Sequence, residues 1–175
     1  MKKVLSLLLA VLVIGACATT DANAKTRRSS SKAKVKVTAT PKEVQDAYID
    51  ILDEMAEDYE CEYYFIHDIN GDRIPELFVQ TGECEMDYML HVFTYSGGMA
   101  KKVDETGSGH CGFKYGTNCL ICGWGHQGAS AYWKLTLSGN RLKSTKISRS
   151  TFDKSKKWID EYDIDDYSAL EDMSF

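Results

Sequence analysis

In the segment HDINGDRIPEL, Asp68, Asn70 and Asp72 stand at alternate positions and Glu76 follows four residues later. Calcium is a hard cation that takes six to eight oxygens at about 2.3–2.6 Å. A loop with side chains at its first, third and fifth positions, a main-chain carbonyl at its seventh and a carboxylate at its ninth supplies most of them. Here that set is Asp68, Asn70, Asp72, the Ile74 carbonyl and Glu76. An EF-hand is excluded, because Val79 stands where its twelfth-position glutamate would be and Pro75 would break the second helix. The competing reading is a plain hairpin turn around Asn70-Gly71. Arg73 follows the third ligand, where glycine would reach a positive φ cheaply and arginine costs on the order of 1 kcal/mol. The calcium reading predicts a weak, structural ion with a Kd on the order of 10⁻⁴–10⁻³ M.

Thiols are the second source of chemistry. Cys61, Cys84, Cys111, Cys119 and Cys122 follow residue 60, and cysteines at strand positions of an exported chain default to disulfides. A hairpin centred between Asp72 and Arg73 sets Cys61 opposite Cys84. One centred between Gly116 and Thr117 sets Cys111 opposite Cys122, with Cys111–Cys119 as the rival pairing. Zinc is the alternative, since His110, Cys111, Cys119, Cys122 and His126 lie close together and Cys119-x-x-Cys122 has ligand-like spacing. A further alternative is a small hydrolase or thiol enzyme with Cys119 or Cys122 as nucleophile and His126 as base. No GxSxG, Walker loop, dinucleotide fingerprint or HExxH motif occurs, and no catalytic residue is assigned. Tyr63, Tyr64, Tyr88, Tyr95, Tyr132, Trp124 and Trp133 form either a sheet core or a stacking platform for a glycan or peptide.

These residues need elements to hold them. Thr40, Pro41 and Glu43 make a capping box with proline at the first helical turn. Val44, Ala47, Tyr48, Ile51, Leu52, Met55 and Tyr59 then form one apolar helical stripe. After Glu60 the chain reads as short strands: 63–67, 74–81, 88–95, 99–103, 112–115, 118–124, 131–137 and a run at 142–147. The tail, KKWIDEYDIDDYSALEDM, is acidic and weakly patterned, with a short terminal helix. The fold class is α+β: one N-terminal helix packed on a mainly antiparallel β-meander of about seven strands.

DINGDRIPELFV resembles the strand-flanked calcium loops of FG-GAP and VCBS repeats. It is also similar to the Asp-x-Asn-Gly-Asp-x-x-Pro-Glu-Leu segment of small secreted bacterial proteins and lipoproteins of poorly characterised function. That resemblance spans most of residues 42–147, though only the loop is a specific motif. It implies export, a helix before the loop and a strand meander after it, more than it implies an activity.

The ends agree with export. Lys2 and Lys3 precede an apolar run from Val4 to Ile14, too short to span a bilayer, and residues 1–24 read as a signal peptide. Two cleavage sites compete: before Cys17, which a lipobox would lipidate, and after Ala22-Asn23-Ala24. Residues 25–40 carry six Lys or Arg and no acid, and read as a basic disordered linker before one globular domain, 41–175. From Pro41 onward 13 Lys and Arg oppose 25 Asp and Glu, a formal charge of −12, which disfavours nucleic acid as a partner. Membrane contact would come only through the lipid or the basic linker. The combined expectation is a non-enzymatic binding or structural module of the cell envelope or extracellular space, stabilised by calcium and disulfides. Its ligand would be a peptide or glycan.

Overall fold

The computed structural model describes residues 39–175. The expected signal peptide, both cleavage sites, the lipidation of Cys17 and nearly all of the basic linker lie outside the described residues. The capping box forms as its sequence requires: Glu43 N–H donates to Thr40 Oγ1, and Thr40 N–H donates to the Glu43 carboxylate at 2.8 Å. It opens α1 (Pro41–Asp58), whose stripe of Val44, Tyr48, Leu52 and Met55 is buried.

Eight strands follow: β1 (Cys61–His67), β2 (Glu76–Thr81), β3 (Met89–Ser96), β4 (Met99–Gly107), β5 (Cys111–Gly116), β6 (Cys119–His126), β7 (Ala129–Ser138) and β8 (Arg141–Lys146). The strands are antiparallel and pair in sequence order, but as two four-stranded sheets, β1-β2-β3-β4 and β5-β6-β7-β8. The expected single meander of about seven strands is corrected here. The cause is the connection at 108–110. Buried Ser108 donates its N–H to the Tyr88 carbonyl and its hydroxyl to Gln80, while His110 takes a φ of 56°. Together they turn the chain off the first sheet before β4 can pair with β5.

Side-chain alternation then sorts the core into two layers. Leu77, Val79, Tyr64 and Phe93 face α1, whereas Phe65, Phe78, Leu90 and Val92 meet Phe113, Leu120, Cys122 and Leu135 of the second sheet. The first sheet is thus covered on both faces, which is why every residue of β2 is buried. Phe65 links the sheets, stacked on Phe78 at 4.7 Å and tilted against Phe113 at 5.7 Å. Burying a side chain of this size contributes about 1.5–3 kcal/mol.

The acidic tail has a role that its composition does not announce. After α2 (Arg149–Lys154), residues 157–162 run along the edge strands of both sheets. Ile159 N–H donates to the Phe113 carbonyl on β5, and Tyr162 exchanges two main-chain hydrogen bonds with Tyr64 on β1. The tail closes in α3 (Ser168–Glu171), with Leu170 buried in the α1 layer.

Candidate functional site: an aromatic groove beside a thiol pair

The aspartate-rich loop joins β1 to β2 at the junction of the two sheets. His67 Nε2 lies 2.9 Å from both the Gly116 and Cys119 carbonyls. A side chain at Gly71 would meet the Asn118 amide at 2.6 Å. Inside the loop, Asp68 accepts from the N–H groups of Asn70, Gly71 and Arg73. Asn70 accepts from Asp72 N–H, and Asp72 from Ile74 N–H. The Asn70 NH₂ donates to Asp72 at 3.1 Å and to Glu76 at 2.6 Å. Glu76 is fully buried, also accepts from Ile69 N–H and Thr94, and is pushed up to about 8 by its burial.

The structure therefore brings Asn70, Asp72 and Glu76 to one point and turns Asp68 toward main-chain donors. The donors suit a hard cation in type, with the Asn70 amide group between the two carboxylates where positive charge is most favoured. Among the described residues, no group of three or more His, Cys, Asp or Glu side chains is arranged to hold a metal ion, which also leaves the zinc grouping unassembled. Arg73 takes a φ of 81°, the conformation for which glycine would be the cheap choice.

The five described cysteines are free thiols. The register sets neither expected pair opposite, because each hairpin centre lies one residue from its expected place and a bulge between Cys61 and Tyr63 adds a further residue in the first. Cys61 faces Thr81, not Cys84. Cys111 faces Trp124 and Cys122 faces Phe113, because the turn is Thr117-Asn118, with Asn118 at a φ of 51°. Cys111 and Cys122 become diagonal neighbours on one face. The interaction with Cys122 holds the Cys111 thiol below its usual range, while burial pushes Cys122 well above it. Cys119 points to the opposite face, and neither Cys119 nor Cys122 meets His126, so the expected nucleophile–base pair is not assembled. His126 instead stacks on His110 at 4.3 Å.

These histidines belong to a groove of about 500 Å³ where the 82–89 loop lies against the β5, β6 and β7 strands. Tyr88, Trp124, Trp133, His110 and His126 supply rings, with Met86 and Met89 between them. Its charged residues are Glu85 and Asp87, with no Lys or Arg in the lining. Glu85 reaches His110 Nδ1 at 2.7 Å. Asp87 caps its own loop by accepting from Cys84 N–H, which holds its carboxyl below the usual range. The groove depends on Gly109: any Cβ there would fall 2.1 Å from the Glu85 carbonyl oxygen.

No family model, curated protein or solved structure matches the chain. The aromatic platform among the expectations is thus resolved residue by residue. Trp124, Trp133 and Tyr88 line the groove, whereas Tyr64 is core and Tyr132 packs on Phe152 at 4.8 Å. The sequence reading had no place for Glu85, Asp87 or Gly109 at this site. The turn residue Asn118 was the one local signal that would have shifted the β5–β6 register and so exposed the thiol pair.

Proposed function

We propose that this chain is an exported binding module that takes a basic peptide segment in the groove formed by Tyr88, His110, Trp124, His126 and Trp133. The observation that carries this reading is the groove's lining: the rings of Tyr88, Trp124 and Trp133, two histidines, two methionines, two carboxylates and no lysine or arginine. Ring faces attract ammonium and guanidinium groups by about 0.5–2 kcal/mol each, and nearby carboxylates add to that attraction. Methionines give such a surface the adaptability that suits varied peptide side chains. The charge of −12 over residues 41–175 favours a basic partner at longer range. Export is supported by the signal-like first 24 residues and by the resemblance of DINGDRIPELFV to loops of secreted bacterial proteins.

Tryptophan fluorescence during titration with a lysine- and arginine-containing peptide tests the reading. A saturable change is expected, weakened about tenfold by Trp124→Ala, which corresponds to about 1.4 kcal/mol. Glu85→Gln should weaken it too. A neutral oligosaccharide that binds in the peptide's place, or peptide binding indifferent to Trp124→Ala, would reject it.

A second reading concerns the Asp68–Glu76 loop, and the burial of the Glu76 carboxylate beside Asp72 favours it. Asp72, Glu76 and Asn70, with Asp68 and the Ile74 carbonyl, would hold a calcium ion whose charge offsets the clustered carboxylates and pins the junction of the sheets. The melting temperature should then rise with millimolar calcium and fall with chelator, and Asn70→Asp should increase the difference. A chelator-insensitive melt for both proteins rejects calcium and leaves the loop as a hydrogen-bonded corner.

A further inference from the structure

Charge is spread unevenly over the layers of the fold. Residues 134–157 hold eight Lys or Arg and one acid, Asp153, whereas the rest of 41–175 holds five cations and 24 acids. The basic stretch covers the end of β7, all of β8 and all of α2. Register places Lys134 opposite Thr145, Lys143 opposite Thr136 and Arg141 opposite Ser138. These positions alternate with Leu135 and Leu137 of the core, so they belong to the outer face of the second sheet, turned away from the first. α2 packs on the same face through Phe152, which meets Tyr132 at 4.8 Å, and Trp158 lies over Gly112. The amine of buried Lys114 is held 3.9 Å from the Phe152 ring and 4.5 Å from the Trp158 ring, which ties both to the sheet.

Arg141, Lys143, Lys146, Lys154 and Lys156 are exposed and Lys134 is half-buried. Among the described residues none of these six has an ion pair, while Arg149 and Lys157 each pair once. Trp158 is 54% exposed beside Lys156 and Lys157. The opposite pole is acidic. α1 carries seven carboxylates against one lysine, and residues 162–175 add five more with no cation. Tyr162, Ile164 and Leu170 pack with α1 on the far side of the first sheet.

We propose that the outer face of the second sheet, with α2 and Trp158, is a docking surface for an anionic phospholipid membrane. The cations are spread over an open face rather than gathered in a cleft, which fits a flat array of headgroup phosphates. An indole beside them suits the headgroup level, where tryptophan is favoured. Each Lys or Arg near such a surface strengthens partitioning by about fivefold. The formal charge of −12 does not oppose this contact at close range. Packed layers stand about 10 Å apart, so the acids of the α1 layer lie beyond the screening length of about 8 Å at physiological salt. A field of this polarity also turns the basic face toward the bilayer during approach. The contact is additional to any made by the basic linker, and it uses no residue of the aromatic groove, so it stands apart from the peptide reading.

The test measures partitioning of the full-length chain onto vesicles of phosphatidylglycerol and phosphatidylcholine in equal parts, with pure phosphatidylcholine as the reference. The reference accounts for apolar contact by residues 1–40, and Arg27→Gln with Arg28→Gln accounts for the linker's charge. Salt-sensitive binding to the anionic vesicles is expected. Arg141→Gln with Lys143→Gln should weaken it about tenfold or more, at an unchanged melting temperature because both sites are exposed. Phosphatidylglycerol brominated near its headgroup should quench Trp158, a quench lost in Trp158→Phe and kept in Trp124→Phe. The proposal fails if the Arg141 and Lys143 variant binds as the wild type does, if the loss falls on the linker variant instead, or if Trp158 is not quenched. Binding to soluble polyphosphate without binding to vesicles would make the partner an anionic polymer and overturn the membrane.

Discussion

Arg73 occupies a left-handed backbone position, with a φ of 81°, yet the loop needs that geometry because Arg73 N–H closes the turn onto Asp68 at 3.0 Å. Glycine reaches this conformation without a clash between Cβ and the main chain. Arg73→Gly should therefore raise the unfolding free energy by about 1 kcal/mol, seen as a higher denaturant midpoint at unchanged slope. His91 makes the opposite kind of statement, about charge. It is 4% exposed, with Nε2 at 2.9 Å from Thr81 and Nδ1 at 3.4 Å from Glu105. Burial, and then the cation of Lys102, hold its imidazole below the usual range, against an opposing pull from Glu105. A histidine whose folded value is depressed takes up its proton more readily in the unfolded chain. The stability it contributes is present above about pH 6.5 and is lost as pH falls through that value toward the lower folded one. Buried Glu76, pushed up to about 8, works the other way in this window, since its folded carboxyl keeps a proton that the unfolded chain loses. The acid limb of His91 is therefore read as a difference: in thermal melts from pH 7.5 to 5, the wild type should lose stability relative to His91→Gln. Unchanged pH dependence in the variant would assign the limb to another group.

At the scale of elements, the tail strap explains how two open sheets leave few bare edges. Residues 157–162 give main-chain partners to β1 and β5, and an unpaired strand edge is a template for association. Removing residues 156–175 should produce self-association that rises with concentration in light scattering, and should lower stability by several kcal/mol through loss of buried Ile159 and Leu170. A truncated chain that remains monomeric would mean that the edges are protected another way. Little of this strap was legible beforehand. The helix was, because Thr40, Pro41 and Glu43 state its start and a stripe from Val44 to Met55 states its buried face. The strands were as well, because their β-branched and aromatic runs are bounded by glycine turns. Sheet membership was not: Ser108 and Gly109 act through Gln80 and the Glu85 carbonyl, partners more than 20 residues away that leave no local pattern. Register failed for a smaller reason. A shift of one residue in each hairpin centre, with a further bulge between Cys61 and Tyr63 in the first, replaced Cys61–Cys84 with Cys61–Thr81 and turned Cys111–Cys122 from opposed into diagonal neighbours.

For the whole molecule, charge sets two expectations that oppose one another. From Pro41 to Phe175 the formal charge is −12, and few of these carboxylates have a cation at hand; the ion pairs that form, such as Lys157–Asp160 and Lys102–Glu105, are exposed and short in sequence range. Such pairs contribute little each. Mutual repulsion among the remaining acids then works against the compact state, and salt relieves it as the screening length falls to about 10 Å at 0.1 M. The melting temperature should rise as sodium chloride is taken from about 10 mM to 300 mM. Attraction between the acidic groove and a basic peptide is screened by the same ions, so affinity measured by Trp124 fluorescence should fall over that range. A hydrophobic peptide held by stacking alone would keep its affinity or gain some, as salt strengthens apolar burial. The two salt series therefore separate a charge-guided groove from an apolar one. Parallel rises in stability and in affinity would remove Glu85 and Asp87 from recognition and leave only the rings.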